Sequence, residues 1–292
     1  MGARPTDRIV GSSELTQRAI ERATAAARAP GAVLIVGAAG VGKSHFAAAV
    51  HGWSARASGP LIEFSAGGTP ASSQSAVLFG SVGNPGALAR AAEGSLLVKG
   101  LEELAGSVRT ALTRAIEEGS FRAEGAAEST PLRARLLLSS RGSELPIPHS
   151  RVEIPPLSER SEDIPALAAE FLASFAQEFG VQPVGFTAEA RRWLVSEPWS
   201  GNVRELRERV RQALQLAGSG AISIEALMLS NEGDEIPSFK DAKRGFETRY
   251  VESVLRRCAG NISRAARLAK KDRKDFYDVI RRTGVNPQDF RS

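Results

Sequence analysis

The spacing of apolar residues divides the first half of the chain into two kinds of segment. Nearly continuous apolar runs at residues 32–36, 61–64, 95–98 and 135–139 alternate with amphipathic stretches at residues 43–54, 86–92 and 101–118. Short continuous runs are typical of strands that are buried on both faces of a parallel sheet. Their alternation with helical patterns predicts an α/β fold, in which a parallel sheet is flanked by helices.

The strand pattern ends after residue 157, and helical patterns follow. Residues 164–179, 188–196 and 202–217 place apolar side chains on one helical face, which predicts a small helical subdomain. Residues 229–238 are acidic and lack apolar periodicity, so we expect a linker there. The predicted organisation is an α/β subdomain over 1–164, a helical subdomain over 165–228, the linker over 229–238 and an all-α domain over 239–292.

Composition excludes fibrous and disordered proteins. The 292 residues are 42% hydrophobic and 24% charged, as in an ordinary globular protein. The single cysteine, Cys258, excludes an internal disulfide and any cysteine-rich zinc site, which favours a reducing compartment. The longest apolar stretch, residues 32–41, is too short to cross a bilayer. We therefore expect a cytoplasmic protein with no membrane partner.

Positive charge is concentrated at the C-terminal end. Residues 239–292 contain 15 Lys and Arg against 7 Asp and Glu, a net charge of +8, whereas the whole chain carries +5. Residues 1–238 therefore carry a net charge of −3. A basic segment behind a near-neutral body points to a nucleic acid partner, here double-stranded DNA.

A phosphate-binding motif follows the first predicted strand. The sequence Gly37-Ala38-Ala39-Gly40-Val41-Gly42-Lys43-Ser44 fits G-x-x-x-x-G-K-[ST] between a strand and a helix. The glycines let the backbone N–H groups and the helix N-terminus face phosphates, while Lys43 neutralises the β and γ charge. Ser44 is a possible Mg²⁺ ligand. The motif predicts ATP or ADP as the cofactor; the alternative is a tight glycine turn with an exposed lysine.

Several separated motifs, in order, resemble the AAA+ domain of bacterial enhancer-binding proteins, the activators of sigma-54 RNA polymerase. Besides the phosphate loop they are Ile9-Val10-Gly11-Ser12-Ser13, Leu78-Phe79-Gly80, Pro155-Pro156-Leu157-Ser158-Glu159-Arg160 with Glu162-Asp163-Ile164, and Trp199-Ser200-Gly201-Asn202-Val203-Arg204-Glu205-Leu206. The resemblance covers residues 9 to about 229 and implies an AAA+ fold with a helical lid. It implies that Arg204 reaches from the lid to the nucleotide and that Ile9 and Val10 lie near the adenine. A surface arginine is the alternative for Arg204.

The acidic positions of that family are altered. Where the family ends its metal-holding strand with adjacent Asp and Glu, this chain has Lys99 and Gly100. A cation there opposes Mg²⁺, so a role for Mg²⁺ is an open question. Glu102 and Glu103 are expected to begin the next helix, away from the strand tip. Lys99 is a candidate nucleotide contact that supplies part of the charge of Mg²⁺; the alternative is that it points to solvent.

Other parts of the hydrolytic machinery also differ from the family. Arg141 stands where the family has the first-sensor asparagine, and too few residues separate it from Pro155 for the helix that carries the arginine finger. Arg151 is a poor substitute, because it precedes an expected strand at 152–154. The tight turn 81–85 leaves no room for the family's GAFTGA loop. We expect no catalytic residues, little or no ATP hydrolysis and no ordinary sigma-54 remodelling.

The basic C-terminal segment resembles a Fis-type helix-turn-helix domain over residues 239–285. By analogy residues 239–258 form a dimerising helix, 261–269 a positioning helix and 273–283 the recognition helix, with Asp272 as its N-cap. The candidate DNA contacts are Asn261, Ser263, Arg264, Arg273, Lys274, Asp275, Tyr277, Asp278 and Arg281. Asp275 and Asp278 depart from the family's neutral or basic preference, and Lys270-Lys271 replace its Gly-Ile turn. The alternative is a basic bundle that contacts only protein.

These patterns lead to one preferred function and two alternatives. The preferred function is a dimeric or larger DNA-binding transcription regulator whose AAA+ module binds nucleotide and hydrolyses it poorly or not at all. The first alternative is an active AAA+ ATPase. The second is an adaptor that forms mixed oligomers with intact enhancer-binding proteins without binding DNA. We expect no receiver domain ahead of the AAA+ region, so that regulation would come from another regulator, nucleotide level or abundance.

Overall fold

A computed structural model describes residues 8–142, 146–147, 149–229 and 239–290; for residues 239–246 and Arg249 it describes the backbone only. The chain divides into two compact units, residues 1–180 with 188–208, and residues 181–187 with 209–292. The first unit therefore contains most of the predicted helical subdomain as well as the α/β part. Apart from Leu229, the predicted linker lies outside the described residues.

The first unit is built on a parallel sheet of five strands in the order β2-β5-β8-β1-β9. These strands are β1 (Ala32–Val36), β2 (Leu61–Ser65), β5 (Ser95–Lys99), β8 (Arg135–Ser140) and β9 (His149–Glu153). Two short antiparallel pairs lie outside it: β3 (Gly80–Ser81) with β4 (Asn84–Pro85), and β6 (Ser120–Phe121) with β7 (Thr130–Pro131). All four predicted apolar runs form strands of this sheet, which confirms the α/β prediction.

Helices cover both faces of the sheet because each central strand is apolar on both sides. Leu34 and Val36 belong to one buried cluster, whereas Val33 and Ile35 belong to the other. The helices of this unit are α1 (Glu14–Arg28), α2 (Lys43–Gly52), α3 (Gln74–Phe79), α4 (Ala87–Arg90), α5 (Gly106–Glu118), α6 (Ile164–Phe179) and α7 (Ala188–Ser196), and α8 (Asn202–Ala217) begins in it. The sheet order brings the carboxyl ends of β1, β5 and β8 side by side, the usual place for a ligand in open α/β sheets.

The predicted helix over 101–118 is wrong at its start. Residues Leu101–Glu103 form a 3₁₀ turn, Leu104 and Ala105 are extended, and α5 begins only at Gly106. The cause is the buried side chain of Gln74: its amide accepts from the N–H of Ala105 at 2.8 Å and donates to the carbonyl of Glu103 at 3.0 Å. A continuous helix would need both of these backbone groups for its own hydrogen bonds.

Two further expectations about strands need correction. The strand expected at 152–154 begins earlier, at His149, so Arg151 lies within β9. Strands also occur after residue 157: β10 (Gly185–Phe186) pairs in parallel with β11 (Ala221–Ile222) in the second unit. Such two-residue pairs are too short to leave an apolar pattern in the sequence.

The second unit contains α9 (Ile224–Leu229), α10 (Phe239–Arg257), α11 (Ile262–Leu268) and α12 (Arg273–Thr283). The last three helices share a core in which Val251, Leu255, Phe276 and Ile280 are almost fully buried. The side chain of Asp272 accepts from the N–H of Lys274 at 2.7 Å, which confirms the predicted N-cap of α12. Among the described residues, no helix is long and apolar enough to span a membrane.

Candidate nucleotide site

The phosphate loop joins β1 to α2 in a conformation that its glycines permit. Gly40 and Gly42 have φ of +77° and +107°, a region that other residues rarely adopt. A Cβ atom on Gly40 would lie 2.1 Å from the carbonyl oxygen of Gly201, so the loop also packs too closely there for any side chain. No side chain caps the N-terminus of α2. The loop thus presents a helix N-terminus without an internal partner, as phosphate sites do.

Lys43 lies at the mouth of this loop. Its Nζ donates to the carbonyl oxygens of Gly37 and Ala38, at 2.7 Å each. Burial lowers the pKa of Lys43; the carboxylate of Glu102 raises it, and the guanidinium groups of Arg141 and Arg204 lower it further. These three charged groups therefore lie within electrostatic range of the ammonium that would contact the phosphates.

A cavity of about 870 Å³ opens beside the loop, a volume suited to a nucleotide. Ten of the predicted nucleotide residues line it: Ile9, Val10, Ala39, Gly40, Val41, Gly42, Lys43, Ser44, Lys99 and Arg204. The remaining two, Gly37 and Ala38, are not among the lining residues, but their carbonyl groups accept hydrogen bonds from Lys43. The glycine cradle, the lysine and the cavity together fit a nucleoside di- or triphosphate.

The start of α8 is attached directly to the phosphate loop. The N–H of Arg204 donates to the carbonyl of Gly40 at 3.1 Å, and the side-chain amide of Asn202 donates to the carbonyl of Ala39 at 3.0 Å. The Oδ1 of Asn202 accepts from the N–H of Leu157 at 2.8 Å. These contacts hold the start of α8 at the cavity, which the exposed Arg204 lines.

Sequence reasoning missed a buried ion pair beside the phosphate loop. Asp163 is fully buried and accepts four hydrogen bonds, from the N–H groups of Ser12 and Ser13 and from the hydroxyl groups of Ser13 and Thr16. Arg160, also buried, donates to the carbonyl of Val41 at 2.9 Å and lies 3.9 Å from Asp163. The pair ties the start of α1 and the phosphate loop to the turns before α6. The sequence shows both residues only as parts of a family motif.

The carboxyl ends of β5 and β8 are occupied by ion pairs. Lys99 Nζ lies 2.7 Å from Glu63 Oε2, and Arg141 lies 2.9 Å from Glu103 and 3.3 Å from Glu102. The expectation that Glu102 and Glu103 point away from the strand tip is wrong, because the 3₁₀ turn keeps both on the wall of the cavity. Lys99 lines the cavity and is paired with Glu63, so it does not simply point to solvent.

The strand tip does not fit a protein-held Mg²⁺ site. The end of β5 carries Lys99 and Gly100 and no carboxylate, and the two nearby glutamates are bound by Arg141. Within the described ranges there is no group of three or more His, Cys, Asp or Glu side chains that could hold a metal ion. Ser44 lines the cavity and is the one residue of the predicted set that is suited to contact a metal held by phosphates.

The loop between Gly80 and Gly86 is the tight turn that the sequence predicts. It forms the two-residue antiparallel pair of β3 and β4, and its tip carries Val82, which is 73% exposed, and Gly83. The N–H of Val82 donates to the carbonyl of Glu124 at 3.3 Å, which holds the turn against the body of the unit. No long projecting loop is present between these residues.

The comparisons with known proteins agree with this architecture. A profile of the sigma-54 interaction domain matches residues 9–145, and one of the AAA+ ATPase lid domain matches residues 158–240. The transcriptional regulatory protein GlrR of Escherichia coli K12 is 32% identical over 97% of this chain and 69% of its own length. The chain belongs to the sigma-54 activator family.

Other members of the family are similar over comparable lengths. The transcriptional activator RocR of Bacillus subtilis is 30% identical over 89% of this chain and 65% of its own length. The crystal structure of NtrX from Brucella abortus in complex with ATP has a TM-score of 0.71 at 24% identity and covers 95% of this chain. This sigma-54 activator homologue thus spans about two thirds of the length of these relatives and shares the NtrX fold.

Proposed function

We propose that this protein is a DNA-binding transcription regulator whose AAA+ module binds ATP or ADP and hydrolyses it poorly or not at all. The observation that carries the proposal is the contrast within one cavity. The phosphate loop is complete, whereas Lys99 is paired with Glu63 and Arg141 is paired with Glu102 and Glu103 where the family places its hydrolytic groups. Membership in a family of transcriptional regulators supports the regulatory role.

Nucleotide binding is supported by the residues of the loop and by relatives. Gly40 to Ser44 would hold the phosphates, Lys43 would neutralise them, and Ile9 and Val10 would lie by the base. Two structures that share this fold contain ADP and ATP respectively. The bound nucleotide would supply a polyphosphate anion at the N-terminus of α2, and Arg204 would contact it from α8.

Poor hydrolysis follows from the charges at the strand tips. Attack by water on a terminal phosphate needs a group that orients the water and cations that neutralise the developing charge. Glu102 and Glu103 are engaged by a guanidinium, and the Lys99 ammonium is engaged by Glu63. Because Glu63 already neutralises Lys99, that lysine is a weaker substitute for Mg²⁺ than the sequence suggested. The short β3–β4 turn further supports a role without ordinary sigma-54 remodelling.

DNA binding is supported by the surface of α12. Arg273, Lys274, Tyr277 and Arg281 are exposed on it, whereas Phe276 and Ile280 are buried. Arg264 on α11 is also exposed, and Asn261 caps that helix by accepting from the N–H of Arg264 at 3.0 Å. In a helix-turn-helix a recognition helix with a basic outer face enters the major groove, while the preceding helix lies across the DNA backbone. We propose a dimer or larger oligomer as the DNA-bound form.

The regulatory proposal is tested by mapping bound DNA across the genome with the wild-type chain and with Arg273→Ala. Discrete sites that depend on Arg273 are expected. The absence of discrete sites for the wild-type chain would favour an adaptor that acts through mixed oligomers with other enhancer-binding proteins.

One observation favours the alternative of an active ATPase. Glu102 and Glu103 lie on the wall of the same cavity as Lys43, so a carboxylate is within the site although not at the family's position. If either glutamate served in hydrolysis, the wild-type chain would release phosphate from ATP and Glu102→Gln with Glu103→Gln would stop it. We expect no such release from the wild-type chain.

A further inference from the structure

The turn between α11 and α12 contains a residue in a conformation that lysine rarely adopts. Lys270 has a φ of +50°, in the left-handed region that glycine occupies most readily. The N–H of Lys270 donates to the carbonyl of Arg267 at 3.1 Å, and the N–H of Lys271 donates to that of Ala266 at 3.0 Å. These two hydrogen bonds close the C-terminal end of α11 and fix the conformation of the turn.

Side-chain packing offsets little of the strain at Lys270. Both Lys270 and Lys271 are exposed, so neither contributes a buried side chain to the core of the three helices. A glycine at position 270 would form the same turn with less strain. The lysine therefore lowers the stability of the fold, and what it supplies is a positive charge at the surface.

Strain alone does not identify a role, because the same conformation recurs at an uncharged residue. Ala259, at the end of α10, has a φ of +48°. Its N–H donates to the carbonyl of Arg256 at 3.3 Å, and the N–H of Gly260 donates to that of Leu255 at 2.9 Å. The two turns share this hydrogen-bond pattern and differ in charge. The role of Lys270 therefore has to come from its ammonium group.

Positive charge is concentrated in this turn and on both sides of it. Residues 267–274 contain five Lys and Arg against one Asp. The side chain of that acid, Asp272, already accepts from the backbone N–H of Lys274 at 2.7 Å. All five cations are exposed: Arg267, Lys270, Lys271, Arg273 and Lys274. The turn thus presents a compact cationic surface beside the N-terminal end of α12.

The place of the turn suits contact with the backbone of a DNA duplex. In a helix-turn-helix the first helix lies across the DNA backbone, and the first residues of the recognition helix reach the base edges. The proposed function assigns these two places to α11 and α12. The turn that joins them would then lie at the edge of the groove, where the phosphates are. Ammonium groups bind phosphates without regard to base sequence.

We propose that Lys270 and Lys271 bind DNA phosphates at the edge of the groove that α12 enters, and that a lysine is retained in the left-handed conformation for this contact. The inference rests on the proposed function, since it extends the DNA site of α12 to the turn before it. Lys270 then sets the affinity for DNA and its salt dependence, and it leaves the sequence preference to α12.

The test compares Lys270→Gly with the wild-type full chain in urea unfolding and in binding to two labelled duplexes of unrelated sequence over a salt series. Lys270→Gly should unfold at a higher urea concentration, because the strain is relieved. It should bind both duplexes more weakly by a similar factor, and the slope of log K against log salt should fall by about 1, as for one lost phosphate contact. Lys270→Arg keeps the charge and should match the wild type in both measurements.

Ala259→Gly is the matched control, because it relieves the same backbone conformation and removes no charge. It should raise the urea midpoint and leave the salt slope unchanged. An unchanged salt slope or urea midpoint for Lys270→Gly, or weaker binding to one duplex only, would overturn the inference while leaving DNA binding by α12 intact. A wild-type chain that binds neither duplex would overturn the proposed function itself.

Discussion

The ammonium of Lys99 lies 2.7 Å from the carboxylate of Glu63, so the cation at the end of β5 is paired across the neighbouring strand β2. A lysine in this state contributes less net positive charge to the cavity than an unpaired ammonium would. The end of β5 therefore carries an ion pair formed with the neighbouring strand.

An acidic pair placed at the end of β5 should not by itself produce ATP hydrolysis. Gly100 has a φ of +78°, which costs other residues roughly 1–2 kcal/mol, and a Cβ there would lie 2.5 Å from Glu103 Oε2. Lys99→Asp with Gly100→Glu is expected to lower the free energy of unfolding by about that amount and to release no phosphate from ATP. Phosphate release and chemical denaturation measure both effects. Lys99→Ala, the control, should leave stability almost unchanged, and a double variant as stable as the wild type would contradict the strain expected at Gly100.

The buried pair of Asp163 and Arg160 should be essential for stability. Asp163→Asn removes an ion that accepts four hydrogen bonds and leaves the buried Arg160 without its counter-charge. Breaking a buried pair in this way destabilises proteins by about 3 kcal/mol or more. Urea denaturation at neutral pH measures the loss. Asp278→Asn changes an exposed aspartate and should stay within about 0.5 kcal/mol of the wild type; a similar small effect for Asp163→Asn would refute the assigned role.

The lowered pKa of Asp163 predicts part of the loss of stability at acidic pH. Burial alone would raise the pKa of Asp163, but the hydrogen bonds from Thr16, Ser13 and Ser12 outweigh it and lower the pKa below its ordinary value of 3.8. Because the folded-state pKa is lowered, its contribution is fully present above pH 3.8 and is lost as the pH falls through the folded-state value. Between pH 3.8 and the folded-state pKa, the free energy of unfolding of the wild type should decrease more steeply on acidification than that of Asp163→Asn. Parallel slopes in urea titrations over this interval would count against the shift.

Much of the fold could be predicted from the sequence because the central strands are apolar on both faces and the later helices are amphipathic. The bounds of β1, α6 to α8 and α12 agree with the pattern to the residue. The position of Glu102 and Glu103 could not be predicted, because it depends on Gln74, a distant polar side chain that interrupts the helix by taking its backbone hydrogen bonds. The partners of Lys99 and Arg141 likewise depend on strand order, which no local pattern specifies.

The proposal that α12 contacts DNA is best tested by comparing two of its arginines. Arg273 is exposed on the outer face of α12, whereas Arg282 pairs with Glu247 of α10 at 2.7 Å. Arg273→Ala should weaken DNA binding and reduce the slope of log K against log salt by about 1, as for one lost phosphate contact. Arg282→Ala removes the same charge and should affect the salt slope less. Gel shifts over a salt series measure both, and equal slopes for the two variants would argue against α12 as the contacting helix.

The central claim is that the site binds a nucleotide without splitting it, and one paired measurement tests it most directly. Equilibrium binding of ATP and steady-state phosphate release with Mg²⁺ are measured on the same preparation of the wild-type chain and of Lys43→Ala. The account predicts ATP binding that Lys43→Ala abolishes, and phosphate release at the background level in both proteins. Rapid phosphate release by the wild type that disappears in Lys43→Ala would contradict it.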